Sequence, residues 1–181
     1  MIDKLIFEES KKGNLQSFKK LVHISSPFAF SVAFRMLGNE SLASDIVQET
    51  MVSVWKNIQK VSSSESYKSW VYRIVINKCH DQLRKRKRNP EFTADDSTWA
   101  LISNRISVNP SAELENKEIA QTISLLTENL SLKQKTVFIL SDLEELSNDE
   151  IAEITSMSKT NVKANLWYAR KKMSEMLENY M

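Results

Sequence analysis

The stretch SNDEIAEITSMSKTNVKANLWYARKKM, residues 147–173, reads as two helices joined by a tight turn. Ser147 and Glu150 have capping-box spacing: the hydroxyl serves the amide three residues on, and the carboxylate reaches back. They open a helix over Asn148 to Thr155, with Ile151 and Ile154 as its inward stripe and Ala152 small where a second helix must cross. Met157 fills the turn. Val162 and Leu166 carry the stripe into a second helix from about Lys159 to Leu177. This is helix-turn-helix spacing, in which the second helix can enter a DNA major groove. Ser156 stands where glycine is usual, because the turn tends to require a left-handed backbone there. Ser158 is the candidate N-cap, leaving the next amides to face a phosphate. With Val162 and Leu166 turned inward, Lys159, Thr160, Asn161, Lys163, Ala164, Trp167, Arg170 and Lys171 point outward. Asparagine can pair with adenine edges, and lysine can reach guanine edges or phosphates. Trp167 has two readings, on the DNA or packed against the preceding helix. Short hairpins of this pattern also occur in proteins that bind no DNA.

A DNA reader with a formal net charge of only +2 needs an explanation. Residues 1–88 hold 16 Lys/Arg against 8 Asp/Glu, net +8; residues 89–157 hold 4 against 13, net −9; residues 158–181 hold 5 against 2, net +3. Two basic regions flank an acidic one, and phosphates respond to charge within about 10 Å, not to the total. The densest run is RKRKR, Arg84 to Arg88. Cations suit a helix C-terminus, but five in a row exceed what a cap needs, so this run is a candidate nucleic-acid contact.

Composition points to an all-α fold. Hydrophobic residues make up 41% of 181, enough for real cores, while two Gly and three Pro are too few for a turn-rich β fold. Cys79 is the sole cysteine, and His23 and His80 are the only histidines, so neither a disulfide nor a zinc site at standard spacing is expected. No paired carboxylates, nucleophile–base pair or Gly-rich phosphate loop stands out, so we expect no catalytic residue, metal or cofactor. The N-terminal MIDKLIFEESKK has no long apolar run or cleavage-site pattern, and no stretch approaches a membrane span of about 20 apolar residues. A cytoplasmic protein without membrane insertion is expected.

Periodicity predicts a helix over 3–24, a break at Pro27, and a nearly all-apolar helix over Phe28–Leu37 closed by Gly38-Asn39. A helix over Ser41–Ile58 follows, with Ile46, Val47, Met51, Val54, Trp55 and Ile58 inward and Asp45, Gln48 and Glu49 together on another face. Beyond a polar loop capped by Ser62 with Glu65, or by Ser66 alone, a helix over Tyr67 to about Lys87 packs Trp70, Val71, Ile74, Val75 and Leu83 inward. Asn77, Asp81 and Arg84 lie near one another on its outer face. Residues 89–110 read as a linker carrying Phe92, Trp99, Leu101, Ile102 and Ile106, able to lie in a partner's groove. A second domain then spans 111–181. It begins with a helix marked by Leu114, Ile119, Ile123 and Leu126, followed by a capping box over Ser131 to Gln134. The prediction is two small helical domains, 1–88 and 111–181, joined by a linker, with the helix-turn-helix in the second.

Taken together, DIVQETMVSVW, then SYKSWVYRIVINKCHDQLRKRKR, then the linker, then NDEIAEITSMSKTNVKANLWYARKKM resemble the sigma-70 family of RNA polymerase sigma factors. Length and layout look like its extracytoplasmic-function (ECF) group. The resemblance covers about 40–88 and 115–177 and rests on the order and spacing of three motifs. It implies that Asp45, Gln48 and Glu49 bind the clamp helices of the polymerase β′ subunit, with Met51 where phenylalanine is usual. It implies that Asn77, Asp81 and Arg84 read and open the −10 promoter element, flanked by Lys85, Arg86 and Arg88, with the loop Asn57 to Ser66 taking up a flipped base. It implies that Ser158 and the outward residues of the last helix read the −35 element as duplex. Core polymerase, promoter DNA and an anti-sigma factor are the implied partners. Trp55, Trp70 and Tyr72 read more readily as core or interface than as stacking platforms. The competing reading is a stand-alone helix-turn-helix regulator with a sensing or dimerising N-terminal domain, which would favour palindromes.

Overall fold

The computed structural model describes residues 2–88, 123, 124 and 126–178. The linker 89–110, with Phe92, Trp99, Leu101, Ile102 and Ile106, and the markers Leu114 and Ile119 lie outside the described residues. Within them every regular element is helical.

Helix α1, Lys4–Lys11, starts at Asp3, whose carboxylate accepts from the Leu5 amide at 2.7 Å. Gly13, at φ 86°, turns the chain, and Asn14 caps α2, Leu15–Leu37. The predicted helix over 3–24 is thus two helices. The predicted break at Pro27 does not occur either, because Pro27 lies inside α2. A proline within a helix costs about 3 kcal/mol or more through a lost hydrogen bond and a ring clash. Packing outweighs that cost here: Leu21, Ser25, Ala29, Val32 and Ala33 bury one continuous side of α2 across the proline, and Ser25 meets the buried Tyr67 hydroxyl at 3.0 Å.

Gly38 ends α2 in the left-handed region at φ 64°, and Asn39 caps α3, Glu40–Asn57. A one-turn 3-10 segment, Ile58–Lys60, leads to α4, Ser64–Arg88. Ser63 and Ser66 open α4 reciprocally, each accepting the other's amide at 3.4 Å, so the predicted Ser62–Glu65 pairing is displaced by one residue. Val71 and Val75 are fully buried as predicted, with Trp70, Ile74 and Leu83 packed at the core's edge.

In the C-terminal unit, Thr127–Asn129 forms a 3-10 turn before α5, Leu132–Phe138, whose Ser131–Gln134 capping box is fully formed. The helix then widens into a π-helical turn, Ile139–Leu143, and stops at Glu145 with φ 56°. Helices α6, Asn148–Thr155, and α7, Lys159–Glu178, complete the fold. The two units share their main core. One buried cluster runs from Phe7, Leu21 and Val71 through Val137, Leu140 and Ile154 to Val162 and Leu166.

Gly38 sits on the seam between the units. A Cβ there would lie 2.7 Å from the Ser124 hydroxyl, in a backbone region that L-residues avoid. Gly38→Ala is expected to destabilise the protein by about 1–2 kcal/mol. A thermal midpoint equal to wild type would show that the seam yields at this point.

Candidate functional site

Asp45, Gln48 and Glu49 are exposed on α3, opposite the buried Ala43, Ile46, Thr50 and Met51. Glu49 has a partner that the linear pattern does not reveal: its carboxylate accepts from Lys78 Nζ of α4 at 2.9 Å. Such an exposed pair contributes about 0–1 kcal/mol, so it orients Glu49 more than it stabilises the fold.

Further along the same side of α3, Ser53 and Asn57 meet α4 at a groove of about 330 Å³ that Lys60, Trp70, Ile74, Asn77, Lys78 and Asp81 also line. Trp70 offers an aromatic wall, Asn57 and Asn77 offer amides, and Lys60 and Lys78 offer positive charge. Asn77, Asp81, Arg84, Lys85 and Arg88 are exposed on α4. Arg84 pairs with Asp81 at 3.1 Å, while Arg86 turns back to the Leu37 carbonyl at 3.2 Å. Trp55 packs edge-on to Phe18 at 4.6 Å, and Tyr72 is buried, so neither lines the groove. Trp70 does line it. Its apolar spacing marks it only as inward-facing; Lys60 falls within the loop Asn57 to Ser66 that the resemblance singles out, whereas Ser53 carries no spacing signal.

The helix-turn-helix has the local geometry its sequence demands. Ser147 and Glu150 form both capping-box bonds. Ser156 adopts the left-handed conformation, φ 58°, that glycine usually supplies. Ser158 caps α7, its hydroxyl accepting from the Asn161 amide at 3.2 Å. Val162, Leu166, Ala169 and Met173 face inward, and Thr160, Asn161, Lys163 and Ala164 are exposed. Lys159 pairs with Asp149 at 2.9 Å, and Lys171 lies 3.8 Å from Glu175. Arg170 makes two bonds to Asp142, at 2.9 and 2.6 Å, tying α7 to the wide turn after α5. Trp167 is 58% exposed, so it does not pack on the preceding helix. Its neighbour Tyr168, 54% exposed and edge-on at 4.9 Å, joins it in an aromatic ridge that the outward set omitted.

Part of the outer face of α4 looks across a cleft at the C-terminal unit. Arg73, Ile76, Asn77, His80 and Arg84 form one wall of a cleft of about 590 Å³; α5 and the turn after α6 form the other. His80 Nε2 meets Thr136 Oγ1 at 2.7 Å across it. Burial, aided by the Arg84 charge and opposed by Asp81, lowers the His80 pKa below its ordinary 6.5. The unfolded imidazole therefore binds a proton more readily, so this contribution to stability is present above about pH 6.5 and lost as pH falls. His80→Gln should flatten the rise of Tm with pH between about 5 and 7; an unchanged slope would assign it to another group.

Lys135 and Cys79 lie deeper. Lys135 is 3% exposed, donates to the Ser124 carbonyl at 3.2 Å, and is held down to about 8 by burial. The fully buried Cys79 thiol is pushed up to about 12 by burial. No cluster of His, Cys, Asp and Glu among the described residues has metal-site geometry, and no helix among them is long and apolar enough to cross a membrane.

An exposed acidic helix face, a basic helix with a polar groove beside it, and a C-terminal helix-turn-helix are thus in place, and comparison with known proteins gives the class, a transcription initiation factor. The sigma-70 region 2 family model matches residues 21–89, and the sigma-70 region 4 model matches residues 120–173. The chain belongs to the sigma-70 family of RNA polymerase sigma factors, and several of its relatives are named as ECF sigma factors. It is 30% identical to the ECF RNA polymerase sigma factor SigW of Bacillus subtilis over 99% of this chain and 98% of that one. It is 31% identical to RNA polymerase sigma factor SigV of the same organism over 80% and 81%. Among solved structures, CnrH in complex with the cytosolic domain of CnrY superposes with a TM-score of 0.72 at 22% identity, covering 98% of this chain and 97% of that chain. That likeness bears on the fold.

Proposed function

We propose that this sigma factor divides its work between residues 1–88, which bind core polymerase and the −10 element, and residues 111–181, which bind the −35 element, with 89–110 as linker. Asp45, Gln48 and Glu49 are the polymerase contacts, meeting the β′ clamp helices. Asn77, Asp81 and Arg84 contact the opened −10 strand, with Lys85, Arg86 and Arg88 along its phosphates. The α3–α4 groove takes up an unpaired base, with Trp70 as its wall. Ser158, Lys159, Thr160, Asn161, Lys163, Ala164, Trp167, Arg170 and Lys171 form the −35 surface. The protein is a cytoplasmic specificity subunit without catalytic residues, metal or cofactor, and an anti-sigma factor is an expected partner.

The observation that carries this reading is the groove itself: an aromatic wall, two amides and two lysines next to an exposed acidic face and Asn77. A stand-alone regulator has no use for that combination. The test is transcription by core polymerase with this protein on a promoter library, followed by sequencing of the transcripts. Selective initiation at sites sharing −10 and −35 elements supports the reading. Tight palindrome binding without polymerase, and no selective initiation with it, would replace it with the regulator reading.

A further inference from the structure

We propose that Glu144 is an intramolecular latch that closes the C-terminal unit onto the N-terminal one and confines Asn77 and Arg84 of α4 within a cleft in the free protein. The inference rests on the reading of Asn77 and Arg84 given above. Glu144 follows the π-helical turn, and its side chain is only 10% exposed. Its three donors all come from the other unit: Arg35 Nη1 at 2.5 Å and Ser31 Oγ at 2.7 Å from α2, and the Tyr72 hydroxyl at 3.2 Å from α4. Arg35 also donates to the Leu143 carbonyl at 2.7 Å, so one guanidinium holds both the carboxylate and the turn that presents it. Arg73 donates to the Glu153 and Ile154 carbonyls at the end of α6.

The consequence is steric. The cleft that receives Asn77 and Arg84 is walled on its far side by Leu132, Lys133 and Met157. Its roughly 590 Å³ is the size of a small-molecule pocket, too confined for a run of nucleotides. The closed form also cannot reach both promoter elements. Those lie about 85 Å apart at ~3.4 Å per base pair, whereas a compact chain of this length has a radius of gyration near 16 Å. Opening is therefore part of function, and the latch is suited to release. A carboxylate held by three polar donors regains water when the units part, and truncating either side of a buried charge pair leaves the other uncompensated.

The test uses the free full-length protein. Arg35→Glu sets two carboxylates against each other, and the double variant Arg35→Glu/Glu144→Arg restores opposite charges in swapped positions. Small-angle X-ray scattering reads compaction, circular dichroism checks that the helices persist, and fluorescence anisotropy reads binding of a labelled single-stranded −10 oligonucleotide. Arg35→Glu is expected to expand and to bind the oligonucleotide about tenfold more tightly, as for a competent state raised from roughly a tenth to nearly all of the population. The double variant is expected to re-compact. Wild-type compaction in a helical Arg35→Glu protein, or a double variant as expanded as the single, overturns the latch. Expansion without a gain in oligonucleotide affinity keeps the latch and overturns the assignment of Asn77 and Arg84.

Discussion

Glu49→Lys is expected to lower affinity for core polymerase roughly 10–100-fold, as for like charges brought together at a complementary interface. Glu49 is 63% exposed, so the fold has little at stake, and surface substitutions usually stay within about 0.5 kcal/mol. The structure adds a confounder that the sequence hides, because the new lysine faces Lys78. Pairing the substitution with Lys78→Glu separates the two effects. The double variant regains the internal ion pair but still presents the wrong charge to the polymerase, so its core affinity stays low. Equilibrium titration of labelled protein with core polymerase reads both. Wild-type affinity of Glu49→Lys would remove Glu49 from the polymerase surface, and rescue by Lys78→Glu would make its role internal positioning.

Lys163→Ala is expected to change which −35 sequences are used. Lys163 is exposed one residue after the buried Val162, near the start of α7, where a recognition helix meets base edges. A base-edge contact discriminates by about 1–3 kcal/mol, or about 5–150-fold between sequences, whereas a phosphate contact weakens all sequences alike. Lys172, whose amine reaches the Asn129 carbonyl at 3.4 Å near the far end of α7, provides the comparison. Lys172→Ala should lower output evenly. Selection from a randomised −35 region reads the difference. The same winning sequences from wild type and Lys163→Ala would show that Lys163 does not read bases.

Local signals in the sequence translated well into structure. Both capping boxes form, because a Ser with Glu or Gln three residues on satisfies orphan amides whatever surrounds it. The turn of the helix-turn-helix forms although serine replaces glycine: Ile151, Ile154 and Val162 are buried on either side, and that packing holds Ser156 in a conformation it would otherwise avoid. Pro27 misled for the complementary reason. As a local breaker it argues for an end, but the apolar side of α2 is long enough to hold the helix through it. Seams between units were the least legible. In SDLEEL, Glu144 and Glu145 look alike, yet one enters a ring of donors while the other is exposed with positive φ. Nothing within a few residues separates them, because Ser31, Arg35 and Tyr72 lie 113, 109 and 72 positions away. Among the candidate site residues, outward spacing fixed exposure but not engagement: Arg170 and Lys163 both point out, and only Arg170 is tied to Asp142.

The burial of Cys79 has a consequence for oxidative stress. Peroxides and disulfides react with an accessible thiolate, and this side chain is neither accessible nor, with its pKa near 12, a thiolate at neutral pH. While the units stay packed, the chain's one sulfhydryl is chemically silent. An oxidant acting on this protein through its cysteine would first have to loosen the fold around α4.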